Sequence, residues 1–215
     1  MIRKSLLALA AAFTVAGTSI YAQDIIKIGA IAPKTGPLAG GAVVTQWPNV
    51  QLWVEQVNAR GGLNVDGKKM QIELIEYDDK TNPGEHIKLA QRLATQDKVD
   101  FVVAPYGTGF NIATAPIYGK FGYPMIAVSA ITDKAEELTS RYSNLFFTLG
   151  TTTAFVDGVK EILVEQREAG NIGNEVAMVN VADAFGIELA DRARELFAEA
   201  GFEIVYDKSY PLGTP

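Results

Sequence analysis

Phe101-Val102-Val103-Ala104-Pro105-Tyr106-Gly107-Thr108-Gly109-Phe110-Asn111 runs from an apolar stretch through a glycine-punctuated turn into a helical pattern carried by Ile112, Ala115 and Tyr118. Residues 101–104 predict a buried β-strand, and Gly107 and Gly109 allow backbone angles and close approaches that a side chain would block. A strand that ends in such a turn and opens a helix presents unpaired N–H groups at the positive end of the helix dipole, which together make an anion cradle. The Thr108 hydroxyl adds a further donor. Neither GxxxxGK[ST] nor GxGxxG spacing occurs at this turn, which sets aside a P-loop and a dinucleotide fingerprint. A small carboxylate is the anion expected here. Glycine-bearing strand–helix junctions are also common as plain turns, so the flanking chain has to decide.

On both sides of this stretch the pattern alternates between strand and helix. Residues 25–32 read as a strand leading into the turn-rich Pro33-Lys34-Thr35-Gly36-Pro37. Val43, Trp47, Val50, Val54 and Val57 then recur at helical spacing, with Pro48 imposing a late start or a kink and Gly61-Gly62 a stop. Residues 69–77 form the next strand, and Asn82-Pro83-Gly84-Glu85 reads as N-cap, first-turn proline and capping-box acid of a helix to about residue 97. After residue 121 come a strand over 124–128 and a second series beginning with a short strand over 145–148. Helices are expected from Thr151 and from Ile187, and strands over residues 176–181 and 202–210. Repeated strand–helix units predict parallel sheets covered by helices, with ligands beyond the carboxyl ends of the strands. The loops at 34–42, 105–110 and 129–132 are therefore the ones to inspect.

Arg3 and Lys4, an apolar run over residues 6–15 and Ile20-Tyr21-Ala22 before Gln23 have the layout of a signal peptide over residues 1–22. An exported, periplasmic protein is expected. The chain has no cysteine, so disulfides, thiolate metal ligands, a cysteine nucleophile and a cysteine-linked lipid are not expected. Removing Arg3 and Lys4 takes the formal net charge from –6 to –8, because residues 1–22 carry no acid. So acidic a chain is a poor partner for nucleic acid or an anionic membrane.

Several segments, taken in order, resemble type I periplasmic solute-binding proteins of ABC transporters, most like the leucine/isoleucine/valine-binding branch. They are Ile26-Lys27-Ile28-Gly29 with Thr35-Gly36-Pro37, Val57-Asn58-Ala59-Arg60-Gly61-Gly62, Tyr77-Asp78-Asp79, Pro124-Met125-Ile126, Glu137-Leu138-Thr139 and Phe185-Gly186. The resemblance implies an α/β fold of two doubly wound parallel-sheet lobes that close over a ligand. Residues 23–145 would be the N-terminal lobe and 146–215 the first part of an incomplete second lobe, its hinge truncated. It implies ligand contacts from Tyr106, Gly107 and Thr108, the last holding a carboxylate by hydroxyl and N–H. Ser129 and Ala130 would offer backbone groups. Where the family has a threonine this chain has Ile131, so Thr132 is taken as its counterpart, and Phe185 would cover the ligand. An aromatic of the first loop is missing at Gly40-Gly41-Ala42, with Trp47 a possible substitute. The acid that meets a ligand ammonium is expected beyond Pro215.

The function so implied is the periplasmic substrate-binding component of an ABC transporter. It would capture a small carboxylate, a branched-chain or other apolar amino acid, and deliver it to an inner-membrane permease without cofactor or metal. A receptor-coupled sensor of the same fold, or a binder of non-amino aromatic or aliphatic carboxylates, remains the alternative. An exported enzyme would need a nucleophile–base pair or a metal cluster, and no such pattern is visible. His86 has no such partner in sequence and reads as a solvated surface residue. Asp78-Asp79 reads as turn-capping or structural pairing, Trp47 and Trp53 as core, and the charged stretch over residues 188–199 as a solvated helix face.

Overall fold

The computed structural model describes residues 25–214, so the expected signal peptide lies outside the described residues. Strand β1 (Ile25–Ile31) is the centre of a four-stranded sheet in the order β2-β3-β1-β4, built with β2 (Leu63–Val65), β3 (Lys68–Tyr77) and β4 (Phe101–Val103). β1 runs parallel to both neighbours, Ile28 pairing with Leu74 on one side and Phe101 on the other. With partners on both edges and helices on both faces, β1 is an almost unbroken apolar run, as central parallel strands are.

The expected break near Pro48 is real. Helix α1 (Ala39–Thr45) ends at Gln46, and α2 (Trp47–Ala59) opens with Pro48 in its first turn, where the missing N–H costs nothing. Trp47 is buried, but Trp53 is 42% exposed, which corrects its assignment to the core. Strand β2 is not among the expected elements. It pairs antiparallel with β3 across Asp66-Gly67, both at positive φ (50° and 83°), the two-residue turn that matches strand twist.

Asn82 caps α3 (Pro83–Arg92) by accepting the Glu85 N–H at 2.9 Å, and a single π-helical turn (Leu93–Asp97) carries the helix to its expected end. Helix α4 (Thr108–Phe121) begins directly at the glycine turn after β4. Phe101 is 51% exposed, so this strand is less buried than its composition suggests.

Strand β5 (Met125–Ala127) precedes α5 (Ala135–Arg141), a further helix beyond those expected, and β6 (Leu145–Phe147) returns to pair parallel with β5. β6 therefore belongs with the first series, not at the head of the second. Leu145 is buried in one core with Met125, Tyr118, Leu93 and Ile31, so we place the boundary between units just after β6. Next come α6 (Thr152–Glu168), capped by the Thr151 hydroxyl, β7 (Glu175–Val181), α7 (Ala184–Glu199) and β8 (Glu203–Tyr210). β7 and β8 pair in parallel, and a separate core of Val156, Met178, Ala190, Phe197 and Phe202 joins them to α6 and α7.

Candidate ligand-binding site

The first turn of α4 lines a cavity of about 240 Å³ with Gly107, Thr108, Gly109 and Phe110. Thr81 reaches it from the turn before α3, Pro83 from the first residue of α3, Leu38 from the loop after β1, and Asp183, Ala184 and Leu212 from the second unit. Thr108, Gly109 and Phe110 are the first three helical residues, so their N–H groups have no acceptor within the helix. Gly107 caps α4 at φ 94° without a side-chain hydrogen bond, an angle that favours glycine. The N-terminus of α7 meets that of α4 here: a methyl at Gly109 would lie 3.4 Å from the Ala184 Cβ. Two positive helix ends thus converge on one small, mostly apolar cavity.

Asp183 is the only ionisable side chain lining the cavity among the described residues. It caps α7, one carboxylate oxygen accepting the Gly186 N–H at 2.7 Å. Sequence reasoning misses this acid because it looks for the ammonium partner beyond Pro215; an aspartate just ahead of a helical pattern is the available signal.

Of the residues anticipated from the sequence, the cavity gathers Gly107 and Thr108. The Thr108 hydroxyl, however, donates to the Ile131 carbonyl (3.3 Å) and accepts the Ile131 N–H (3.2 Å). Ser129 Oγ donates to the Pro105 carbonyl (2.9 Å) and accepts the Gly107 N–H (3.0 Å). These two hydroxyls staple the 105–108 turn to the loop after β5, and Ala130 is buried in the core beside them. Tyr106 lies outside the cavity, its hydroxyl only 2.0 Å from where a Gly41 Cβ would stand. Tyr106 thus fills the space over Gly41, whereas nothing lies within 4 Å of where a Gly40 Cβ would stand, and Trp47 is tied by its indole N–H to the Pro33 carbonyl (3.3 Å). Phe185 is 41% exposed and lines a different, larger groove of about 510 Å³ with Phe155, Met178 and Tyr210.

Thr132 is fully buried, and its hydroxyl donates to the Glu188 carboxylate (2.9 Å), which also accepts the Asp133 N–H (2.6 Å) and the Thr152 hydroxyl (3.0 Å). Asp133 in turn accepts Arg192 Nη2 (3.0 Å) and the N–H and hydroxyl of Thr153 (2.8 and 2.7 Å). Residues 188–192 are therefore not a free solvated face but one side of a polar clasp between the β5–α5 loop and the starts of α6 and α7.

Burial works to raise the Asp133 pKa, but the Thr153 and Arg192 hydrogen bonds outweigh it and hold the carboxyl below its ordinary value of 3.8. Asp78 is held low in the same way: against burial, the Thr35 hydroxyl and the Lys34, Lys80 and Thr35 N–H groups prevail. Both groups bind fewer protons folded than unfolded. Their contribution is complete above pH 3.8 and is lost as pH falls through the lower folded values. The thermal midpoint of the wild type should drop as pH is lowered below about 4, and Asp133→Asn should flatten that dependence. An Asp133→Asn protein with the wild-type slope would show that this carboxyl is not perturbed.

His86 corrects its sequence reading outright. It is fully buried, with Nδ1 2.8 Å from Asp79 Oδ2 and Nε2 2.9 Å from Thr114 Oγ1. With Ala90 and Leu93 it occupies the inner face of α3 and the π turn after it, and, as buried polar groups do, it is hydrogen-bonded. Asp78 and Asp79 point apart, Asp78 to Lys34 and Thr35 and Asp79 to His86, and they accept the Lys80 and Thr81 N–H groups, so both cap the turn as expected.

A family model described as periplasmic binding protein matches residues 25–215. An amino acid binding protein from Pseudomonas aeruginosa is 28% identical over 208 residues, covering 96% of this chain and 52% of that relative. The branched-chain amino acid transporter substrate binding protein of Streptococcus pneumoniae, solved with isoleucine, superposes with a TM-score of 0.69 at 28% identity, over 89% of this chain and 51% of the other. A solute binding protein of an ABC transporter from Rhodopseudomonas palustris, solved with 3,4-dihydroxybenzoic acid, gives 0.67 at 28%, over 90% and 49%. The chain spans about half the length of the curated relatives it matches.

Proposed function

The chain belongs to the periplasmic binding protein family, and from that premise we propose that it is the substrate-binding component of an ABC transporter, working in the periplasm and passing its ligand to an inner-membrane permease. The ligand is a small amino acid with an apolar side chain. Its carboxylate sits at the free N–H groups of Thr108, Gly109 and Phe110, its ammonium faces Asp183, and its side chain lies along Leu38, Pro83 and Leu212. The observation that carries this is one cavity combining an uncapped helix N-terminus on the first unit with a single acid on the second. A ligand bridging the two favours the closed arrangement over the open one, which is how binding is signalled to a partner. Thr108 contributes its N–H rather than its hydroxyl, and Tyr106, Ser129, Ala130 and Thr132 shape the loops behind the ligand. Phe185 has no ligand contact in this arrangement.

The test is a thermal-shift panel of L-leucine, L-isoleucine, 4-methylpentanoate and 4-hydroxybenzoate. A ligand at ~1,000 times its dissociation constant adds about 4 kcal/mol. Stabilisation by the amino acids and not by 4-methylpentanoate is expected. Asp183→Asn keeps an oxygen to cap α7 but loses the charge, and should weaken amino-acid binding about ten- to a hundredfold. Stabilisation by 4-methylpentanoate or 4-hydroxybenzoate and not by the amino acids would keep the cradle and overturn the role of Asp183.

A further inference from the structure

We infer that His86 is a positioning residue for the carboxylate cradle: it fixes the first turn of α4 against the segment that supplies Thr81 and Pro83, the two walls of the cavity. The inference rests on the function proposed above. Asp79, His86 and Thr114 are all fully buried and form a continuous chain across the space between α3 and α4. At one end the other oxygen of Asp79 accepts the Thr81 N–H at 2.8 Å, holding Thr81 in a left-handed conformation (φ 61°) that a β-branched residue seldom adopts. At the other end the Thr114 hydroxyl donates to the Phe110 carbonyl at 2.7 Å, and the His86 ring packs 4.8 Å from the Phe110 ring.

The hydrogen bookkeeping leaves little freedom. Thr114 has one hydroxyl hydrogen and gives it to Phe110, so His86 Nε2 must carry a hydrogen and donate to Thr114. A second proton lies in the Nδ1–Asp79 hydrogen bond. The Thr108 and Ser129 hydroxyls already hold the 105–108 turn to the loop after β5, and this linkage adds the tie between the first turn of α4 and the α3 side of the cavity. Gly107 offers no side-chain cap, and Pro116 has no N–H to meet the Ile112 carbonyl four residues back. All three buried groups are closed to solvent, and the Thr114 hydroxyl already has its acceptor, so the constellation orients the helix start and is not a nucleophile.

The experiment compares Thr114→Val, which keeps the size and removes the hydroxyl, with Thr114→Ser, which keeps the hydroxyl. The first readout is amide hydrogen exchange in the unliganded protein. In Thr114→Val the amides of residues 111–114, bonded to the first-turn carbonyls, should exchange tenfold or more faster, with amides of α6 unchanged and Thr114→Ser restoring protection. His86→Gln, with one donor group in place of two, should behave like Thr114→Val. The second readout is L-leucine binding, which should weaken tenfold in Thr114→Val and recover in Thr114→Ser. Unchanged exchange at 111–114, or equal acceleration in α6, overturns the positioning role. If exchange responds as stated but wild type binds no L-leucine, the positioning role holds and the proposed ligand fails.

Discussion

Gly186→Ala is expected to cost about 3 kcal/mol and to lower the thermal midpoint by roughly 6–12 °C. A Cβ at Gly186 would stand 2.1 Å from the Val181 carbonyl oxygen and 2.7 Å from a Val181 methyl. Val181 ends β7 and is paired to Tyr210, so its backbone cannot withdraw without breaking the β7–β8 pair. Nor can α7 retreat easily, because the Gly186 N–H is held by Asp183 at 2.7 Å. Gly158 is the control. It lies inside α6 with nothing within 4 Å of where a methyl would stand, so Gly158→Ala should stabilise by about 0.5–1 kcal/mol. Equal effects at the two glycines, measured by denaturant unfolding, would contradict the close helix–strand packing from which Asp183 is presented.

Glu188→Leu should cost a comparable amount, about 3 kcal/mol, because it removes one acceptor from three donors at once. The Thr132 and Thr152 hydroxyls are almost completely buried, and the Asp133 N–H lies 2.6 Å from the carboxylate. Each hydrogen bond to a charged group is worth about 1.5–3 kcal/mol, and donors left unpaired in the interior add their own desolvation cost. The three losses overlap, so they do not simply sum. Glu188→Gln retains one acceptor oxygen but turns an amide N–H toward donors, and should fall about halfway between. An exposed charge on a solvated helix face costs less than about 0.5 kcal/mol on replacement. A Glu188→Leu protein that unfolds within that margin of wild type would return residue 188 to the surface, as its sequence context suggests.

Why that context misleads is physical. A helix with acids and arginines at i, i+3 and i+4 reads as solvated whatever lies opposite, and only the fold reveals that Thr132 and Thr152 face Glu188. His86 fails in sequence for the same reason. Its partners stand 7 and 28 residues away, and a lone histidine carries no sign of either. Local signals fare better. Asn82, Thr151 and the break at Pro48 act through neighbours within four residues, and each appears where the spacing places it. The strand–turn–helix at 101–111 is legible because apolar run, glycine and helix period all lie in one stretch. What that stretch cannot convey is which loop will face it. The hydroxyls of Thr108 and Ser129 look available to a ligand, yet each closes on backbone of the neighbouring loop. β2 was within reach, since Asp66-Gly67 between two short runs is a hairpin signature.

The most direct test of the α4 cradle is a crystal structure of the protein with whichever panel compound binds most tightly. The compound's carboxylate oxygens should lie about 2.7–3.2 Å from the backbone nitrogens of Thr108 and Gly109, with any ammonium group turned to Asp183. A ligand seated instead in the groove beside Phe185, with the α4 amides uncontacted, would contradict it.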